Sequence, residues 1–152
     1  MGHSRTFSYL PGMALQLDSA ICPKSFTKVL VVVYICTSYV AAYLSKDFKA
    51  QTAKKHLIAH MCSHPPPQII ITDFGSEFRD GLQDYLATHH ISLQVTTPYE
   101  KGSSSTSENA IRLVKRALTK MCLFEPKNWA CYLPMIVNGI NSLISYIEQH
   151  HV

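Results

Sequence analysis

The sequence predicts an α/β domain built on a five-stranded mixed sheet, three antiparallel strands followed by two parallel ones, with helices on its faces. Three observations carry this expectation. Alternating and β-branched apolar runs fill the first third of the chain, the apolar period then lengthens to that of amphipathic helices, and short apolar runs alternate with helical stretches from there on. Strands joined by short turns pair antiparallel, whereas a strand that returns after a helix can pair parallel with an earlier one.

Residues 13–20 set Met13, Leu15 and Leu17 against Ala14, Gln16 and Asp18, the period of a strand with one covered face, and Asp18 lies near its end. Residues 22–25 contain Pro23 and read as a turn. The β-branched run at 28–36 and the run at 39–44, parted by Thr37 and Ser38, are the second and third strands. Over 49–62 the spacing of Ala53, Leu57, Ile58 and Met61 makes one helical face, with Lys54 and Lys55 turned away, and Pro65, Pro66 and Pro67 end the helix. A short apolar strand at 68–72 leads into Asp73, Phe74 and Gly75. Ser76 is placed to cap a helix reaching residue 89 that packs Phe78, Leu82, Tyr85 and Leu86 inward. Residues 92–96 form the fifth strand and 98–105 a Gly/Ser-rich loop. Residues 106–122 form an amphipathic helix that buries Ala110, Val114, Ala117, Leu118 and Met121. Pro126 breaks it. A last helical stretch at 128–148 carries Pro134 in its first third, where a kink or a restart is expected.

A chain of 152 residues with 47% apolar side chains can bury one core, and the expected division is an N-terminal extension at 1–12 and a single domain at 13–152. With 16% charged residues and no low-complexity block, a disordered chain is excluded. The most apolar stretch, 29–43, is too short for a membrane span and contains Thr37 and Ser38, so neither a transmembrane helix nor a membrane partner is expected. Residues 1–11 lack an apolar signal core, which points to an intracellular protein. Cys22, Cys36, Cys62, Cys122 and Cys131 show no paired short spacing and are expected to be reduced. The net charge of +4 is modest, so phosphate binding requires the cations to gather on one face.

In such a sheet, strand-borne Asp18 and strand-end Asp73 can lie side by side, and helix-borne Glu108 can approach them from one face. Hard divalent cations take oxygen ligands and keep waters, so a few carboxylates suffice to hold them. Two such ions about 4 Å apart can activate an attacking oxygen and stabilise a leaving one in phosphodiester transfer.

Ile71-Thr72-Asp73-Phe74-Gly75-Ser76-Glu77-Phe78 resembles the second-aspartate motif of retroviral and LTR-retrotransposon integrases, and Thr97-Pro98-Tyr99 through Glu108 resembles their third motif. Leu17-Asp18, followed by Lys28-Val29-Leu30-Val31-Val32-Val33, is similar to the first, and the match holds one register over 14–120. The resemblance implies a ribonuclease H-like catalytic core, a DDE polynucleotidyl transferase. Asp18, Asp73 and Glu108 would be its catalytic, metal-binding acids, and two magnesium or manganese ions its cofactor. It implies processing of a DNA 3′ end by water, then attack of the exposed 3′ hydroxyl on target DNA, without a covalent protein intermediate. Arg112 and Lys115 follow Glu108 by four and seven residues, on one helix face, at offsets where basic residues of the family contact the element's DNA end. Tyr99 holds the place of a loop residue that approaches DNA, and Arg116 and Lys120 flank the stripe as further phosphate contacts. The implied partners are element ends, target DNA and further copies in a homodimer or higher multimer. The implied setting is the nucleus, the cytoplasm or a virus-like particle.

The chain also departs from the pattern. The interval between Asp73 and Glu108 is one residue short, Lys101-Gly102 stands for Pro-Gln, Ser104 for the loop glycine, Asn109 for a basic residue and Tyr34 for a strand-end aspartate. These changes spare the three acids and alter the loop. They leave as an alternative a degenerate or domesticated core that serves as a non-catalytic DNA-binding or protein-interaction module. A nuclease of the same fold is disfavoured for want of a fourth acid at a matching helical position, and Asp47 is the substitute first acid. Read without the resemblance, the four cations are the solvated side of a helix and a strand-end aspartate closes a turn. His56 and His60 share a helical face that Cys62 leaves, so the His56, His60, Cys62, His64 group is not expected to hold zinc, and His89-His90 and His150-His151 read as surface pairs. The family's flanking zinc-binding and C-terminal DNA-binding domains do not fit in this length, so a fragment or stand-alone core is expected.

Overall fold

In the computed structural model, residues 12–21, 28–45, 50–72, 76–95 and 105–150 are described. Strands β1 (Ala14–Ile21), β2 (Lys28–Tyr34) and β3 (Val40–Ser45) come first, and helix α1 (Ala50–Ser63) leads to β4 (Ile69–Thr72). Helix α2 (Ser76–Thr88), strand β5 (Ser92–Val95), the long α3 (Ser105–Phe124), a 3-10 turn at Trp129–Tyr132 and α4 (Leu133–His150) complete the order. The strands lie as β3-β2-β1-β4-β5. Both β1–β2 and β2–β3 are antiparallel, while β4 pairs parallel to β1 and β5 parallel to β4. This is the expected five-stranded mixed sheet.

Strand β2 is buried from Val29 to Tyr34, and its side chains sort by parity. Val29, Val31 and Val33 join Ala110, Ile111, Val114 and Leu118 of α3 and Ile140 and Ile144 of α4 in one core. Leu30, Val32 and Tyr34 join Leu15 and Leu17 of β1, Ala53 and Leu57 of α1 and Leu82 and Leu86 of α2 in the other. Helices thus cover both sheet faces, and β1 gives its large apolar residues to the α1/α2 side. On the α3 side β1 presents Ala14, Gln16, Asp18 and Ala20, small or polar residues that leave α3 close above polar groups.

Boundaries shift by a residue or two where runs taper into turns: β2 ends at Tyr34 rather than at 36, and α3 starts at Ser105 and runs on to Phe124. Pro134 causes a restart rather than a kink, because it is the second residue of α4, where its missing N–H forfeits no intrahelical bond. The expectation of reduced thiols holds for Cys36, Cys62 and Cys131, but Cys122 is disulfide-bonded, a pairing that linear spacing does not reveal. The membrane expectation needs one amendment: Trp129–Ile147 is long and apolar enough to cross a membrane by length and composition, with a mean hydropathy of 1.3. In the fold, Trp129, Leu133, Ile140 and Ile144 pack it against the sheet. The turn expected at 22–25, the loop at 98–104, Asp47, Asp73, Tyr99, Cys22 and His151 lie outside the described residues.

Candidate active site

Asp18 and Gln16 point to the same face of β1 because side chains alternate along a strand, and α3 crosses that face. Glu108 lies in the first turn of α3, where the positive end of the helix dipole favours a carboxylate. Gln16 donates its Nε2 amide to Glu108 Oε2 at 3.5 Å. Two turns further along, Lys115 Nζ meets Asp18 Oδ2 at 3.2 Å. Two of the three acids expected to act together thus take part in the packing of α3 on β1, Glu108 through Gln16 and Asp18 through Lys115, each half-buried. The third, Asp73, is the residue after Thr72, whose Cα partner in the parallel β1–β4 ladder is Leu17, the residue before Asp18.

The cations expected to meet DNA share the outer side of α3, where Arg112, Lys115, Arg116 and Lys120 are all exposed. Arg112 donates to Asn109 Oδ1 at 2.7 Å, so the residue after Glu108 holds its neighbour's guanidinium. Sequence reasoning passed over Gln16 and the pairing of Lys115 with Asp18. A signal for Gln16 was present: it stands two residues before Asp18 on the same strand face.

The histidines of α1 belong to a different cluster on the opposite sheet face. His60 is 1% exposed and lies between Tyr34 Oη, 2.7 Å from Nε2, and Tyr43 Oη, 2.5 Å from Nδ1. A neutral imidazole donates through one nitrogen and accepts through the other, so one phenol donates to the ring and the other accepts from it. His64 stacks on His60 with ring centres 4.1 Å apart. Burial, and then the neighbouring His64, push the His60 pKa down to about 4, while burial first and the nearby Tyr43 and Tyr39 push Tyr34 up to about 12. Among the described residues no group of three or more His, Cys, Asp or Glu side chains could hold a metal ion. The donors at the β1–α3 contact are carboxylate oxygens, partly open to solvent, a set that suits a hard divalent ion completed by a further acid and water.

No family model matches the chain. The Pro-Pol polyprotein of simian foamy virus type 3 (strain LK3) is 31% identical over 121 residues, which is 79% of this chain and 10% of that protein. The Gypsy retrotransposon integrase-like protein 1 of Pongo abelii is 27% identical over 123 residues, 81% of this chain and 21% of that protein. Among solved structures, the catalytic core domain of BIV integrase superposes with a TM-score of 0.67 at 16% identity, covering 83% of this chain and 81% of that one. The homologues of this chain are thus foamy virus Pro-Pol and Gypsy retrotransposon integrase-like proteins, and its structural neighbours are retroviral integrase catalytic cores.

The HTLV-2 integrase catalytic core, solved as a dimer in complex with magnesium, gives a TM-score of 0.64 at 19% identity over 89% of this chain and 86% of that one. The fold is accordingly the ribonuclease H-like fold of integrase cores. This integrase-type domain spans about a tenth of the length of the foamy virus relatives it matches.

Proposed function

We propose that this integrase core catalyses metal-dependent polynucleotidyl transfer on DNA, processing a 3′ end and joining it to target DNA, with Asp18, Asp73 and Glu108 holding the metal. The observation that supports this reading is that α3 packs over β1 through Glu108 on Gln16 and Lys115 on Asp18, in a chain related to integrases. The parallel register supports Asp73 as the third ligand, since the residues next after the Leu17–Thr72 pair are Asp18 and Asp73.

Magnesium or manganese ions, when bound by these carboxylates, would supply activation of the attacking oxygen and charge neutralisation at the phosphate. Gln16 would hold the Glu108 carboxylate toward β1 through its amide, limiting the rotamers the acid must give up on binding an ion. Arg112, Lys115, Arg116 and Lys120 would set the DNA backbone along α3, and Tyr99 is proposed from the motif as a further DNA contact, fixing position rather than reading sequence. A second copy of the chain is proposed to cover the outer face of α4, where Met135, Leu143, Tyr146 and Ile147 are exposed. The dimeric HTLV-2 core supports that arrangement.

A disintegration or strand-transfer assay with magnesium or manganese tests the reading. The chain, supplied with the flanking segments of its full-length protein, is expected to give metal-dependent product. Asp73→Asn is expected to lower the rate at least about a hundredfold, the scale seen when an electrostatic contributor to a transition state is lost. Product that persists without metal, or in Asp73→Asn, would refute the assignment. Absence of product from the unaltered protein would favour a non-catalytic DNA-binding module, the reading toward which the altered 101–104 segment leans.

A further inference from the structure

Lys115 reaches Asp18 from the solvent side. Its side chain is 45% exposed against 19% for the carboxylate, so the acid is held by the protein and the ammonium is the mobile partner. The lysine stem carries a compact charge on four flexible carbons, and Lys115 stands on the exposed side of α3, away from the buried Val114 and Leu118. It can swing off without disturbing the core. A divalent ion held by the same carboxylate would compete with the ammonium for its oxygens, since two cations on one carboxylate repel strongly. The contact that Gln16 makes with Glu108 is by contrast a neutral amide's.

We propose that Lys115 and a divalent cation are alternative occupants of the Asp18 carboxylate, and that the displaced ammonium turns to a DNA phosphate. The proposal rests on the reading of Asp18 as a metal-holding acid. It makes metal loading and DNA binding mutually reinforcing, since the metal frees Lys115 for a phosphate and the phosphate draws Lys115 off the carboxylate, and such coupling is reciprocal. Lys115 then differs in kind from Arg116 and Lys120, whose positions on the same helix give them phosphate contacts alone.

The test is a manganese titration of the whole chain, with free ion read by electron paramagnetic resonance, on the unaltered protein and on Asp18→Asn, Lys115→Gln and Lys115→Arg, each first shown to be folded. Removal of the competing charge in Lys115→Gln is expected to tighten manganese binding on the order of fivefold to tenfold. Lys115→Arg is expected to stay near the unaltered protein, and Asp18→Asn to lose the site. In parallel, the gain in affinity for a labelled DNA duplex on adding calcium is expected to shrink in Lys115→Gln. Manganese binding that is equal or weaker in Lys115→Gln, or that tightens equally in Lys115→Arg, overturns the exchange. An unchanged calcium gain overturns the coupling to DNA. If unaltered protein and Asp18→Asn bind no manganese alike, the metal-site reading itself fails and this proposal falls with it.

Discussion

His60 enters the interior as a neutral base wedged between two phenols, and its protonation is a property of the fold. In the unfolded chain a histidine titrates near 6.5, whereas burial and the adjacent His64 hold His60 at about 4. Between those two values the unfolded chain binds a proton that the folded chain does not, so stability falls as pH is lowered through that window. The contribution present at neutral pH and lost by pH 4 is on the order of 2 kcal/mol. Urea unfolding at pH 7 and pH 4.5 checks it: the acid-induced loss is expected to shrink in His60→Gln, and an equal loss in both proteins would assign it elsewhere. A second prediction concerns Gln16. If its amide orients Glu108, Gln16→Ala is expected to lower metal-dependent transfer by about tenfold to a hundredfold while leaving the melting temperature nearly unchanged. As candidates, Glu108 was legible from the motif that ends on it and Asp18 less so, because its flanks are the least distinctive of the three, while Gln16 was legible in principle from its parity with Asp18. The pairing of His60 with Tyr34 was not, since it joins residues 26 apart that periodicity does not relate.

At the scale of elements, β3 is an edge strand, with backbone groups that need partners or cover. Asn141 of α4 supplies them. Its Oδ1 accepts the Val40 N–H at 2.8 Å and its Nδ2 donates to the Val40 carbonyl at 2.9 Å, the pair of bonds a neighbouring strand would make. Asn141→Ala is expected to cost about 2 kcal/mol, because it strands both groups of a buried residue; calorimetry or urea unfolding measures it. The turn between β2 and β3 offers the opposite change. Ser38 has φ of 63°, is fully buried, and its Oγ has no hydrogen-bond partner among the described residues. Glycine there removes both the left-handed strain and the buried hydroxyl, against a smaller loss of backbone entropy, so Ser38→Gly is expected to stabilise the chain by about 1 kcal/mol. Strands and helices themselves were readable, since β2 and α3 carry their periods over many residues. The restart at Leu133 and the role of Asn141 were not, because a proline marks a break without saying on which side the helix resumes, and a cap 101 residues away leaves no local trace.

For the whole molecule, α4 links fold to assembly. One side packs Leu133, Ile140 and Ile144 on the sheet, and the other carries Met135, Leu143, Tyr146 and Ile147 at 57%, 45%, 59% and 51% exposure. Positions 143, 146 and 147 follow helical spacing, with 135 two turns earlier, so they form one apolar stripe. Self-association through it predicts a dimer by sedimentation at micromolar concentration, shifted toward monomer in Leu143→Glu with melting behaviour retained. A monomeric unaltered chain would contradict it. The fold class was legible from the order of strands and helices, and the family from three motifs in one register; the meeting of Gln16 and Lys115 with the acids required the sheet and α3 to be assembled. Metal binding at these acids is the decisive property. Crystals soaked in manganese and measured by anomalous diffraction locate it directly: the expected result is an ion bound by Asp18, Asp73 and Glu108 with Lys115 swung off Asp18. Manganese that ignores these three side chains at saturating concentration, or settles elsewhere on the surface, would contradict it.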